Sequence, residues 1–375
     1  MTTSTTLRQT DPSGAERAGA DAPASAETAR NDAIRSYRKR GRRKALAIVG
    51  LIIAAAVSFL IAIIVGPLNL SLADVWNAVF DPESVDDQTR TVIRTLRLPA
   101  AVMAVLVGAA LGLAGGQMQT ILDNPLAEPF TLGISAAAAF GAAVSIVMGW
   151  ALIPNPQFNL ATMAALTALI AALIVAAASV WKGANAQSMI LLGIALSFLF
   201  QALLSLLQYG ANTEALQQIV FWTMGSLQRA NWTANIILAA VIVCAIPFCI
   251  VNAWRLTALR LGDDRAAALG INVQRLRVTT LIVASLLASA SVAFTGIIGF
   301  IGLVGPHIAR MIVGEDQKFF LPGAAAAGAM LMSLAYAVSL SIIPGVAIPL
   351  GIITSLVGVP FFVFLIFTRS RGRSA

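Results

Sequence analysis

The sequence predicts an all-α bundle embedded in a membrane, and three observations carry that prediction. Only 11% of the 375 residues are charged while 58% are hydrophobic, and mean hydropathy is +0.84. Soluble domains carry about 25% charged residues, so lipid must be the main solvent of so uncharged a chain. Apolar stretches of the length a helix needs to cross the hydrocarbon core, about 20 residues, recur along almost the whole sequence. Basic residues gather beside particular apolar stretches, the asymmetry that sets membrane orientation.

Residues 1–34 are rich in Ala, Thr, Ser, Asp and Glu and contain no apolar run. Together with the basic cluster that follows, residues 1–44 are expected to be a disordered cytoplasmic tail. Seven of the 25 Lys and Arg residues lie between Arg35 and Lys44, directly before the first long apolar run. That placement is a positive-inside flank facing anionic lipid. Nucleic-acid binding is excluded as the reason for the net charge of +8, because Tyr37 is the only aromatic residue in the cluster. The run Ala45–Gly66 is too long, and too far from the N-terminus, for a signal-peptide core. It is the first span.

Further spans are expected near 98–122, 131–151, 158–181, 187–209, 233–254, 277–298, 300–314, 320–343 and 347–368, about ten in all. Residues 45–368 then form the transmembrane domain and 369–375 a short C-terminal tail. An even count puts both termini in the cytoplasm, as the charges require. The inner segments collect Lys182, Arg255, Arg260, Arg265, Arg275, Arg277, Lys318, Arg369, Arg371 and Arg373. The outer segment 67–97 holds Asp74, Asp81, Glu83, Asp86 and Asp87 against three arginines.

Within 67–97, Leu72, Val75, Trp76 and Val79 follow a helical spacing that Asp81-Pro82 ends, so a short surface helix is expected. Residues 210–232 form a second outer segment whose Trp222 and Trp232 suit the membrane interface. The eighth span is short, and glycines from Gly296 through Gly305, with Pro306, interrupt it. Broken backbone survives at membrane depth only inside protein or beside water, which places this region in the bundle interior. His307 and Arg310, one turn apart, are expected to satisfy the broken backbone near Gly305 and Pro306. Cys244 and Cys249, at i, i+5, read as packing residues.

The chemistry narrows the function. No Gly-x-x-x-x-Gly-Lys-Ser/Thr phosphate loop is present, and His307 is the sole histidine, so no metal site is expected. The spans carry almost no ionisable residue, against a proton- or sodium-coupled secondary transporter. Energy is expected from another protein. Residues 255–277 are the most polar inner segment. There Gly262 can end one turn, Asp263 or Asp264 can cap a new helix, and Gly270 can stop it. The result is a short helix between two spans, suited equally to a plain connection and to docking in a partner's groove. A non-transporting scaffold would need neither that helix nor glycine-broken inner spans.

The segment Leu261-Gly262-Asp263-Asp264, Ala266, Leu269-Gly270 resembles the coupling region of the FecCD-type permease family, the ABC importers of ferric siderophores, haem and cobalamin. The likeness continues in order through Arg97-Leu98-Pro99, Gly108-Ala109-Ala110-Leu111, Gly115-Gly116-Gln117 with Gln119, and Asn124-Pro125-Leu126-Ala127-Glu128-Pro129. It resumes at Trp222 with Gly225-Ser226-Leu227, at Gly299-Phe300-Ile301-Gly302 with Pro306-His307 and Arg310, and at Pro349, Gly351, Gly358 and Pro360.

The resemblance implies a type II ABC-importer bundle of ten spans in a bacterial inner membrane. It implies a dimer with a second permease, two cytoplasmic ATPases that use the ATP, and an extracytoplasmic substrate-binding protein. The chain itself is then no enzyme and binds no cofactor. Residues 262–270 would sit in the ATPase cleft, and a ferric siderophore is the expected cargo, with cobalamin or haem as alternatives. Asn124 and Pro125 are expected as turn residues between spans. Arg97 is expected to pair with the binding protein or to anchor the interface. Ala100 and Leu340 stand where the family pattern often has arginine, so Arg94 or Arg90 would have to compensate. Those losses favour a heterodimer of permeases.

Overall fold

The computed structural model describes the backbone of residues 22–66, 68, 70–182, 186–343 and 345–371. Every extended element among them is helical: α1 (Ala22–Ile64), α2 (Leu72–Phe80), α3 (Asp87–Thr91), a π-helical turn (Val92–Arg97), α4 (Leu98–Ile121), a 3-10 turn (Pro129–Leu132), α5 (Ile134–Met148), α6 (Pro156–Lys182), α7 (Ala186–Gly210) and α8 (Thr213–Thr223). Then follow α9 (Trp232–Leu259), α10 (Asp263–Ala268), α11 (Val273–Thr295), α12 (Ile301–Val313), α13 (Gln317–Ser341) and α14 (Leu350–Arg371). Seven helices are long and apolar enough to cross a membrane, and three shorter apolar ones lie at 134–148, 301–313 and 350–363. These ten coincide with the ten expected spans, and the chain is a multi-pass membrane protein.

One boundary differs sharply. The helix starts at Ala22, so residues 22–44 are not the unstructured tail the composition predicted; residues 1–21 lie outside the described residues. Ala, Glu, Arg and Lys are strong helix formers, and Pro23 sits in the first turn, where its missing N–H costs nothing. Among the described residues, those up to Ala47 and those from Ile48 onward form two separate units. In the first, Arg38, Lys39, Arg40, Arg42 and Arg43 are exposed.

In the second unit, α4 is buried along most of its surface and half-buried only along the stripe Leu98, Val102, Val105, Leu106 and Ala109. It packs against α9, α11, α12 and α13. Small residues make this possible. A Cβ on Gly108 would lie 2.3 Å from the Gly328 carbonyl oxygen of α13, and one on Gly112 would lie 2.2 Å from that of Ala324. A Cβ on Gly115 would lie 1.8 Å from the Gly302 oxygen of α12. Membrane helices have no hydrophobic drive toward each other, so close backbone approach of this kind holds them together. By contrast α7 and α9 turn Leu191, Phe198, Leu206, Ile236, Val243 and Ile250 outward, as lipid-facing helices should.

At one end of the bundle α2 runs from Leu72 to Phe80 as expected. Ser71 and Asp74 cap it reciprocally: the Asp74 N–H donates to Ser71 Oγ (3.1 Å) and the Ser71 N–H to Asp74 Oδ2 (2.8 Å). Trp222 departs from expectation. It is 1% exposed and belongs to the core, its carbonyl against Gly296, whereas Trp232 is exposed. A tryptophan's amphipathic preference for the interface yields here to the large apolar area it can bury.

Candidate coupling end

The helix α10 and the residues around it form the first candidate site. Gly262, at φ +102°, precedes it, and no side chain caps its start. The expected Asp263 or Asp264 cap is therefore absent. Asp263 occupies the first helical position, and its carboxylate is held elsewhere. Arg277 of α11 grips it with two bonds, Nη1 to Oδ2 at 2.7 Å and Nη2 to Oδ1 at 2.8 Å. The same guanidinium donates Nε to the Ile121 carbonyl at 2.9 Å, one of the oxygens left free where α4 ends. One buried arginine thus ties α10 to the last turn of the central helix.

The far end of α10 closes by a Schellman turn. Gly270, at φ +78°, donates to the Ala267 oxygen at 2.9 Å, and Ile271 to the Ala266 oxygen at 3.2 Å. Ala266 is fully buried, the inward contact of the helix. The remaining surface is free: Leu261 is 56% and Leu269 58% exposed, with Asp264, Arg265, Ala267 and Ala268 exposed between them. Two leucines thus flank a small, charged surface on a helix that is fixed to the bundle.

A second set of charges braces the neighbouring helix ends. Arg260, just past α9, bonds Asp123 at 2.6 Å and Glu315 at 3.1 Å. Arg310 of α12 reaches Glu315 at 3.0 Å and Gln119 Oε1 of α4 at 2.8 Å. Gln119 in turn donates to the Leu303 oxygen at 3.4 Å. Arg310 thus links side chains of two other segments. Sequence reading counted Arg260 and Arg277 only as orienting charges and missed both roles. Their partners lie 137, 55 and 14 residues away, beyond any local pattern.

Gly305 and Pro306 also move. Both lie inside α12, and the chain breaks earlier, over residues 296–300, where Gly296 and Phe300 take positive φ. Gly305 faces Gly328 closely. Pro306 supplies no N–H to the Gly302 oxygen, and that oxygen is the one facing Gly115. His307 is buried with its ring edge-on to Phe361, 5.8 Å between centroids. Asn124 accepts the Leu126 N–H at 3.0 Å in a turn that includes Pro125.

The segment after that turn does not stay at the surface. A Cβ on Gly302 would lie 3.2 Å from the Leu111 oxygen, 3.4 Å from Pro129 and 3.7 Å from Glu128. Leu111 is ten residues from the end of α4, about 15 Å at 1.5 Å per residue. Glu128 is thereby carried to mid-depth, its carboxylate toward the Phe300 N–H and its Oε2 without a hydrogen-bond partner. An acid does sit at mid-membrane, contrary to expectation, on a connection rather than within a span.

At the opposite end, Arg97 is 5% exposed. Its Nη1 donates to the Ile63 and Ile64 oxygens at 2.8 and 2.9 Å, and its Nη2 to the Leu68 oxygen at 3.3 Å. It closes the C-terminus of α1, where a cation also suits the helix dipole. The docking role expected of it fails on burial. The π-turn before α4 sets Ile93 and Arg97 inward and leaves Arg94 exposed.

Comparison with known proteins agrees with this architecture. The model of the FecCD transport family matches residues 51–368. The chain belongs to the FecCD transport family. It is 36% identical over 310 residues to the hemin transport system permease protein HmuU of Yersinia pestis, covering 82% of this chain and 91% of that one. It is 31% identical over 331 residues to the vitamin B12 import system permease protein BtuC of Vibrio cholerae, covering 88% and 95%. A solved inward-facing structure of a metal-chelate type ABC transporter superposes with a TM-score of 0.76 at 32% identity, over 86% of this chain and 98% of that one. This FecCD chain is thus an ABC importer permease.

Proposed function

We propose that this chain carries a ferric siderophore across a bacterial inner membrane by alternating access, driven by two separate ATPases. The observation that carries the reading is α10: an exposed Leu261–Leu269 surface fixed to the central helix through Asp263, Arg277 and the Ile121 oxygen. The Asp263 end is then cytoplasmic and α10 lies in the ATPase cleft. Closure of the ATPases on ATP favours one arrangement of the bundle over the other, and the Arg277 clamp passes that preference to α4. A binding protein would dock at the Arg97 end, with Arg94 as the available cation. A second permease completes the pathway, and the uncharged Ala100 and Leu340 favour a non-identical one.

Haem and cobalamin form the second reading, favoured by the cargo named for the HmuU and BtuC relatives. Uptake of radiolabelled ferric chelates, haem and cobalamin in cells with and without the gene separates the cargoes. Loss of chelate uptake alone is the expected result. Loss of cobalamin or haem uptake with chelate uptake intact overturns the siderophore assignment and leaves the importer reading standing.

A further inference from the structure

Beside α10, the last turns of α9 and the first turns of α11 enclose a pocket of about 490 Å³. Arg255 comes from α9 and Arg275 from α11, and both line it. Arg260, Arg277 and Arg310 at this end are each in an ion pair, whereas among the described residues neither Arg255 nor Arg275 has one. The nearby side-chain oxygens are already occupied. Asn252 Oδ1 accepts from Arg255 at 3.0 Å, and Asn272 Oδ1 accepts the Arg275 N–H at 2.9 Å. The pocket therefore presents positive charge and N–H donors, which match a phosphate.

The walls choose the source of that phosphate. Arg255 lies over the Trp254 ring, 5.6 Å to its centroid, and Trp254 is exposed in the manner of an interfacial aromatic. Phe248 forms the deeper wall, and the outer face of α9 continues through exposed Val251, Ile250 and Val243. A charged mouth at the end of an apolar helix face fits an amphiphile. We propose that this pocket binds the headgroup of an anionic phospholipid, with the acyl chains lying along α9. Basic pockets between spans are suited to such headgroups. Gly270 and Asn272 line the same pocket, so the bound lipid would brace the joint between α10 and α11.

The test is native mass spectrometry of the full chain titrated with phosphatidylglycerol, phosphatidylcholine or glycerol 3-phosphate. Wild type should retain phosphatidylglycerol, and Arg255→Gln/Arg275→Gln should bind it about thirtyfold more weakly, from about fivefold per juxtamembrane arginine. Arg265→Gln, which changes an exposed arginine outside the pocket, should bind as wild type does. Both arginines of the double variant are exposed, so it should keep the wild-type circular dichroism spectrum. Equal retention by the folded double variant overturns the proposal. So does equal binding of phosphatidylcholine, or saturation by glycerol 3-phosphate at the same concentration, which marks a soluble-anion site. Failure of wild type to retain any lipid overturns it too, and leaves the pocket to an acidic segment of a protein partner.

Discussion

Replacing Asp263 and Arg277 singly and together measures how firmly α10 is fixed to the bundle. The pair meets through two bonds of 2.7 and 2.8 Å, and Arg277 adds a third to the Ile121 oxygen at 2.9 Å. Bonds to charged groups contribute about 1.5–3 kcal/mol. Asp263 is half exposed, so water screens its share and the lower figure applies. Asp263→Asn should therefore cost about 1.5 kcal/mol. Arg277→Gln should cost about 3 kcal/mol, because it strands a buried carbonyl as well as the carboxylate. If the two act as one unit, the double variant should cost no more than Arg277→Gln alone, a coupling of about 1.5 kcal/mol. Detergent-denaturation curves followed by tryptophan fluorescence give the stabilities, and uptake in cells gives the function. Additive costs, with coupling below about 0.3 kcal/mol, would show that the clamp does not exist.

Three further outcomes follow from the same structure. Gly115→Ala puts a methyl group 1.8 Å from a backbone oxygen of α12 and should abolish accumulation of folded protein in membranes. Gly262→Ala, which meets nothing within 4 Å but sits at φ +102° and ψ 158°, should cost only about 1–3 kcal/mol; immunoblots of membrane fractions distinguish the two. Arg97→Gln should lower the unfolding midpoint by leaving the end of α1 uncapped, about 2–3 kcal/mol by the cost of stranded carbonyls, whereas Arg94→Gln should leave it unchanged. Cys249, which is buried and accepts from Gln117 Nε2 at 2.9 Å, should resist a maleimide in the folded protein and react once the protein is denatured in detergent; equal reaction before and after denaturation would contradict the placement of α9.

The ten helices were legible because apolar length is a local property, and each observed helix overlaps its expected span. The short helix at 263–268 was legible too, since Gly262 and Gly270 mark its ends. What holds it was not, because Asp263 finds Arg277 across a turn and a helix end, with no periodic signal. Arg97 was misjudged for a related reason. Its position at a span's end suggests exposure, but its partners at Ile63, Ile64 and Leu68 are supplied by tertiary folding. Glu128 escaped because span counting treats whatever lies between helices as surface, while residues 128–133 turn back toward Gly302 and Gly193. Gly108, Gly112, Gly115 and Gly328 form a seam whose purpose only the meeting of α4, α12 and α13 reveals.

The proposed importer works only if the exposed face of α10 receives the work of an ATPase. Asp264 is the residue to change, because it is exposed on that face and has no ion pair among the described residues. Uptake of labelled ferric chelate by cells carrying Asp264→Lys, with membrane insertion checked by immunoblot, tests the claim most directly. Normal insertion with uptake lost is the expected result. Normal insertion with unchanged uptake would contradict it.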